Sequence, residues 1–498
     1  MKGKISRRRK KEYGQPQLFS ILVPLYNTPV SFLKEMIESV LSQTYGRWEL
    51  CLADGSDESH SEVEQCCARY AAKDARVRYR RLPENYGIAD NTNICLSMAK
   101  GDYLVLFDHD DRLHPRALYE VQRAIEQTGA DFLYTDEITF ERSIKKAYCP
   151  HRKPDFSPDT LRSYNYICHL SVFSKKLLDR VGGLRREFNG SQDYDLILRL
   201  TEQAECVCHI PKILYYWRSH AQSVASDVGA KSYAVDAAKR ALGEHLQRCG
   251  LSGEVSDAKL PSAYHIRYAL DGKPLISVIV TGAKSEGEFS ECSRQVSAHS
   301  VYENLEILPA GFDGYDAASV SDAVRRAKGD YLVFLDATVN VITPQWLEEL
   351  LMFAQREDVG AVGGALYAPD GRVMYAGYAL DARTGIRPLH QGAVRGDYGY
   401  MSRLTIAQNV SAVSGACLMV SRANYDRIGG LSGDCGRELA AADLCLKLGR
   451  AGLLQVFTPF AELTCSPQRR PFRREVRRFR SRWPDECRRP DPYASLWR

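Results

Sequence analysis

The chain alternates short apolar runs with amphipathic stretches. FSILVPLY, from Phe19 to Tyr26, is a β-rich run. Phe32, Leu33, Met36, Ile37, Val40 and Leu41 follow at helical spacing. Then come WELCLAD from Trp48, an apolar and charged helix through Arg69, VRYRRL from Val77, a helix around Ala89–Ala99, and YLVLFD ending at Asp108. Strands alternating with helices predict an α/β fold with a mostly parallel sheet covered on both faces. Ligands of such sheets bind at the carboxyl ends of the strands. Polar clusters stand at those ends: Tyr26-Asn27, Asp54-Gly55-Ser56-Asp57 and Asp108-His109-Asp110-Asp111.

The pattern then repeats. AKGDYLV occurs at Ala99–Val105 and again at Ala327–Val333, each copy running on to an aspartate, Asp108 and Asp336. SILV from Ser20 matches SVIV from Ser277, and WEL from Trp48 falls on LEI from Leu305. Downstream, DRVGGL from Asp179 matches DRIGGL from Asp426, and DLILRL from Asp195 matches DLCLKL from Asp443. Constant order across both halves predicts a duplicated domain of roughly 200 residues. The expected layout is a basic N-terminal arm at 1–17, a first domain at 18–250, a linker at 251–273, a second domain at 274–468 and a basic C-terminal arm at 469–498.

Charge changes the picture of the ends. The 498 residues sum to +5, but residues 1–11 carry seven basic residues and no acid, and 469–498 carry eleven arginines against four acids. The body between them is therefore net acidic, which with the lack of a recognition motif argues against nucleic acid as partner. In the C-terminal arm Phe472, Val476, Phe479 and Trp483 fall on one helical face among arginines. That pattern predicts a basic amphipathic helix on an anionic membrane, one packed on the protein's own acidic body, or a flexible arm. The fifteen cysteines lack zinc-ligand spacing and read as reduced thiols. The apolar run at Leu18–Tyr26 contains Pro24 and reads as a strand rather than a leader, and no stretch approaches the roughly 18 apolar residues of a membrane span.

Asp108, Asp110 and Asp111 repel one another at a strand end unless they share a cation. A hard divalent ion, Mg²⁺ or Mn²⁺, takes carboxylate oxygens and keeps positions for phosphate oxygens. Asp54 opens DGSDES, which is a nucleotide-side loop or a plain turn leading to a helix cap. Asp193, in GSQDYDLILRL, is a helix-capping acid or a general base aimed at a hydroxyl. His220 in YYWRSH is a structural histidine or a ligand.

Together SILVPLYN, LADGSDES, NYGIADNTN, AKGDYLVLFDHDD, YTDE, GSQDYDLILRL and YYWRSH resemble glycosyltransferase family 2 with the GT-A fold, from Ser20 to about Ser223. The tandem arrangement resembles bacterial enzymes of surface-polysaccharide synthesis, of hexosyl- or rhamnosyltransferase type. The resemblance implies an inverting, metal-dependent transfer from a nucleotide-diphosphate sugar to a glycan or lipid-linked acceptor, in the cytoplasm at the inner face of the plasma membrane. Pro24, Tyr26, Asn27, Asp54, Asp108 and Asp110 would bind the nucleotide sugar. Asp108, Asp110 and His220 would meet the metal, Asp193 would be the catalytic base, and Asp111 and Gln192 would support them. Competing readings are a nucleotidyltransferase, disfavoured because VPLYNTP replaces a Gly-rich phosphate loop, and a non-catalytic assembly scaffold.

The repeat tests these assignments internally. Asp110 and Asp111 become Thr338 and Val339, Asp54 becomes Gly311, and Tyr26 and Asn27 become Ala283 and Lys284. Gln192 and Asp193 become Ala440 and Ala441, and His220 becomes Gln468. Only Asp108 persists, as Asp336. The second copy is therefore expected to be a degenerate domain that organises the acceptor, docks partners or forms a homo-oligomer.

Overall fold

The computed structural model describes residues 14–220, 228–467 and 471–494. The basic run at 1–11 and Gln468 lie outside the described residues. The chain divides into two compact units, Met1–Phe156 with Asn165–Leu251, and Ser157–Tyr164 with Ser252–Arg498.

The first unit is built on a nine-stranded mixed sheet. Val77–Arg81, Trp48–Asp54, Phe19–Leu25 and Tyr103–Leu106 run parallel in that order. Ser171–Ser174 continues the sheet antiparallel, followed by the parallel pair Phe132–Phe140 and Val207–Arg218 and the short edge Arg112–Leu113. The strands Phe19–Leu25 and Trp48–Asp54 are buried almost throughout, as a sheet covered on both faces requires. Their register sets Leu25 opposite Asp54, so both strands end at one level.

The second unit repeats this order: Leu305–Pro309, Ile276–Thr281, Tyr331–Asp336, Cys417–Ser421, Val359–Tyr367, Leu454–Thr464 and Asn340–Val341. No described strand corresponds to Val77–Arg81. The sequence carries the reason: 51 positions separate Trp48 from Ala99, but 22 separate Leu305 from Ala327. The second copy lacks the helix Ser61–Lys73 and the edge strand beside it.

One network explains why AKGD survived duplication. Gly101 N–H donates to Ser20 Oγ (2.8 Å), which donates to Glu49 Oε1 (2.6 Å), and Lys100 N–H also reaches Glu49. Gly329, Ser277, Glu306 and Lys328 reproduce every bond. A Cβ on Gly101 would meet Ser20 Oγ at 2.5 Å, and one on Gly329 would meet Ser277 Oγ at 2.6 Å. Only glycine fits where the two backbones approach this closely.

One expectation is corrected and another narrowed. The stretch 251–273 is not a linker: Gly253–Asp257 and Tyr264–Tyr268 pair as an antiparallel hairpin of the second unit, burying Tyr264, Ile266 and Tyr268. The C-terminal stripe takes, in part, the second of its expected courses and packs on the protein's own body. Arg473–Arg482 is a helix packed on Arg437–Arg450, with Phe479 and Trp483 buried. Phe479 lies against Gly385 and Trp483 Nε1 donates to Asp443 Oδ1 (2.9 Å). The helix Val228–Arg248 packs in the same way on Gln192–Gln203 in the first unit. The arm is thus the closing helix of the second copy. Its apolar spacing was real, and protein covers Phe479 and Trp483 while Phe472 stays exposed. No described helix is long and apolar enough to cross a membrane.

Candidate active site

The loops after the first two strands are stitched together. Ser56 Oγ accepts from Asn27 N–H (2.9 Å), Asn27 Nδ2 donates to Asp57 Oδ2 (2.8 Å), and Asp57 N–H donates to Asn27 Oδ1 (3.0 Å). Asn27 takes a positive φ of 49° to make this turn, a conformation asparagine tolerates. Pro24 sits in the strand opposite Ala53, and Tyr26 beyond it is exposed. Asp54 is fully buried and accepts from Tyr79 Oη (2.9 Å) and Ser56 N–H (2.9 Å), with Arg81 Nη1 at 3.3 Å. Tyr79 and Arg81 belong to the strand that the second copy lacks.

Asp108, Asp110 and Asp111 follow Tyr103–Leu106 and have three different environments. The Asp108 side chain is 45% exposed and accepts from His169 Nε2 (3.1 Å). Asp110 accepts from His220 Nε2 (2.9 Å). Asp111 is buried, held by Tyr215 Oη and by the N–H of Arg218 (2.6 Å). Burial and the charges of Asp110 and Asp108 raise the Asp111 pKa well above the carboxylate range. Burial also acts against ionised Asp108, but the hydrogen bond and charge of His169 outweigh it and its pKa is lowered.

His169 was not legible as functional, because a lone histidine before an apolar strand reads as core. It stacks on Tyr215 at 4.6 Å between ring centroids. Its Nδ1 lies 3.4 Å from Glu137 Oε2. Burial disfavours its charged form, yet Cys168, Asp108 and Glu137 raise its pKa well above the ordinary value. Glu137, the acid of YTDE, is paired with fully buried Lys153 (3.1 Å), whose Nζ also donates to the carbonyls of Ile167 (2.6 Å) and His169. This buried pair fixes the segment that carries His169. The only advance signal was YTDE, which marked a likeness without indicating a role.

Asp193 lies in the first turn of Gln192–Gln203. It accepts from Asn165 Nδ2 (2.9 Å), and Cys168 Sγ bridges it (3.9 Å) to His169 Nε2 (3.4 Å). Burial and, secondarily, the charge of Asp108 raise its pKa. Gln192 turns back to accept from Gly190 N–H (2.8 Å), a local bond that shapes the helix entry. The structure thus joins Asp108 and Asp193 through one chain of contacts and sets Asp110, on the Asp108 loop, against His220 beyond the strand Val207–Arg218.

The fit of a divalent cation can be judged from the donors. Asp108, Asp111 and His169 each offer an atom, all within 4.8 Å of one another. Asp111 and His169, both with raised pKa values, would have to lose their protons to serve as ligands, and among the described residues the expected set of Asp108, Asp110 and His220 does not come within that span. At the corresponding aspartate of the second unit, Asp336, the partner is the guanidinium of Arg437, with Thr338 on the other oxygen.

An uncharacterised protein of Sinorhizobium fredii, y4gI, is 36% identical over 94% of this chain and 56% of its own length. The O-antigen biosynthesis protein RfbC of Myxococcus xanthus is 31% identical over 89% of this chain and 36% of its own length. The chain thus spans about half of the first relative and about a third of the second. The structure of Staphylococcus aureus TarS with UDP-GlcNAc aligns over 46% of this chain and 66% of that one, at 17% identity and a TM-score of 0.39. The family model of Glycosyl transferase family 2 matches residues 20–181 and 303–429, one stretch in each unit. With that double match on two α/β units of one topology, the chain belongs to glycosyl transferase family 2 and carries two tandem GT-A domains.

Proposed function

We propose that the first unit transfers a sugar, with inversion, from a nucleotide-diphosphate donor to a hydroxyl of a glycan or lipid-linked acceptor in bacterial surface-polysaccharide synthesis. The observation that carries this reading is the run of contacts from Asp108 through His169 and Cys168 to Asp193 at the carboxyl ends of the strands. Asp193 takes the proton of the attacking hydroxyl as it displaces the diphosphate from the anomeric carbon. Its raised pKa strengthens it as a base. Asn165 orients its carboxylate. Tyr26 and Asn27 bind the nucleotide, and buried Asp54 supports them by holding Ser56 and Arg81 in place. Mg²⁺ or Mn²⁺, held by Asp108 and Asp110 with His220 alongside, would when bound offset the charge of the leaving diphosphate. RfbC, by name an O-antigen biosynthesis protein, supports the polysaccharide setting.

The second unit is read as non-catalytic, since Ala441 stands at the base position and Thr338 at Asp110's. A panel of nucleotide sugars with manganese, followed by nucleoside diphosphate release, tests the proposal. Release from one donor that Asp193→Asn abolishes is the expected result. Release from none, or release indifferent to Asp193→Asn, overturns it.

A further inference from the structure

The second copy has lost its acids but kept a cleft. A cavity of about 840 Å³ opens at the carboxyl ends of its strands, lined by Gly282, Tyr315, Asp336 and Thr338 on one side and by the helix Arg473–Arg482 on the other. That volume suits a ligand of nucleotide size.

Its charges are distributed unevenly. The carboxylates lining it are already engaged within the protein. Asp336 is held by Arg437 and Thr338, and Asp434 pairs with Arg482 (2.8 Å). Glu438 accepts from Tyr378 Oη and Ser414 Oγ, both at 2.9 Å. Asp316 caps the helix Ala317–Arg326 through Ser319, and Glu475 accepts from Phe472 N–H (2.6 Å). The cations are the reverse case. Lys284, which replaces Asn27, and Arg474 line the cleft and form no ion pair among the described residues; Arg478 makes only a 3.5 Å bond to the carbonyl of Asp434. The Tyr315 hydroxyl is buried and unpartnered. The helix Arg437–Arg450 begins at this cleft without a side-chain cap.

Relative to the first copy, Asp110, Asp111 and Asp193 have no acidic counterpart and Lys284 stands in Asn27's place; the five carboxylates that still line the cleft are each engaged within the protein. Arg437 also holds Asp336, the one carboxylate left from the metal-binding position. The helix it opens starts about a turn earlier than its counterpart Gln192–Gln203, which brings a permanent guanidinium to that site. That guanidinium holds the Asp336 carboxylate that would otherwise be open to a cation.

We infer that the second unit is a metal-independent binding site for a diphosphate-bearing ligand, held by Lys284, Arg474, Arg478 and Tyr315, without chemistry. Two sources share that chemistry: a free nucleoside diphosphate and a diphosphate-linked lipid or glycan. The inference rests on the proposed function only in taking the second copy as non-catalytic.

The test is calorimetric titration of the full chain in excess EDTA with inorganic pyrophosphate, UDP, GDP and farnesyl diphosphate. Pyrophosphate should bind without metal, and Lys284→Glu with Arg474→Glu should weaken it by about tenfold or more. Both positions are exposed, and an unchanged unfolding midpoint checks the fold. Preference for UDP or GDP over pyrophosphate assigns the nucleotide source, and preference for farnesyl diphosphate assigns the lipid-linked one. A metal requirement, or binding indifferent to the charge reversals but lost in Asp108→Asn with Asp110→Asn, overturns the inference. Nucleotide release with manganese is measured separately, so its failure leaves EDTA-resistant binding as an independent result.

Discussion

The two units carry the same aspartate at the same strand end, and it has opposite fates. Asp108 faces a titratable imidazole and keeps nearly half its side chain exposed, while Asp336 is closed by a guanidinium. A second pair makes the same point about stability. Asp195 in the first unit is held by Arg185 and Arg199; its counterpart Asp443 is held by Lys447, Ser432, Arg482 and Trp483. Arg185 is replaced by Ser432, and the closing helix supplies a guanidinium instead. Duplication preserved what the fold requires and left the chemistry of the second cleft free to change.

The largest expected difference between the copies is catalytic. Asp193→Asn keeps the shape and the Asn165 contact but removes the base, and transfer should fall on the order of 10²–10⁴-fold. Nucleoside diphosphate release measures it, with an unchanged unfolding midpoint as control. The same truncation at the paired aspartates should then separate by kind. Asp336→Ala removes the acid on Arg437 Nη1 but leaves Glu438 at 3.4 Å from its Nε, and should destabilise the second unit by about 1.5–3 kcal/mol in denaturant titration. Asp108→Ala should cost about 1 kcal/mol or less while abolishing transfer, because its carboxylate is half in water. Equal stability losses would break the comparison.

The closing helix comes next. Trp483→Ala removes a buried ring and the bond to Asp443, and should cost about 3 kcal/mol or more by the same denaturant titration. Binding of anionic vesicles should not depend on that ring. The smallest effect is with pH. Burial disfavours ionised Asp443, but Ser432, Lys447, Arg482 and Trp483 outweigh it and lower its pKa. A depressed folded value means that its contribution is complete above the ordinary carboxylate range and is lost as pH falls through the folded value. Docking of the last helix, followed by proteolysis at 471–488, should therefore loosen on acidification, and Asp443→Asn should flatten that dependence.

Much of this was legible from the chain. Identical AKGDYLV runs and strand-end acids located two copies and the loops of the candidate site, because alternation and strand ends are local signals. His169, Lys153 and Arg437 were not legible. Each acquires its role from partners outside its own element: Asp108, 61 positions away, for His169, the carbonyls of Ile167 and His169, 14 and 16 away, for Lys153, and Asp336, 101 away, for Arg437. The amphipathic stripe of 472–483 was readable as a stripe, but spacing alone does not say what covers it. The hairpin at 253–268 hid behind polar residues whose pairing only the fold reveals.

The central claim is that one cleft per chain uses a divalent cation and the other has replaced it with arginine. Titration of manganese into the full chain with UDP or GDP, followed by electron paramagnetic resonance, tests it directly. The account predicts one tightly held Mn²⁺ per chain, lost in Asp108→Asn with Asp110→Asn. Two ions per chain, or one that survives those substitutions, would contradict it.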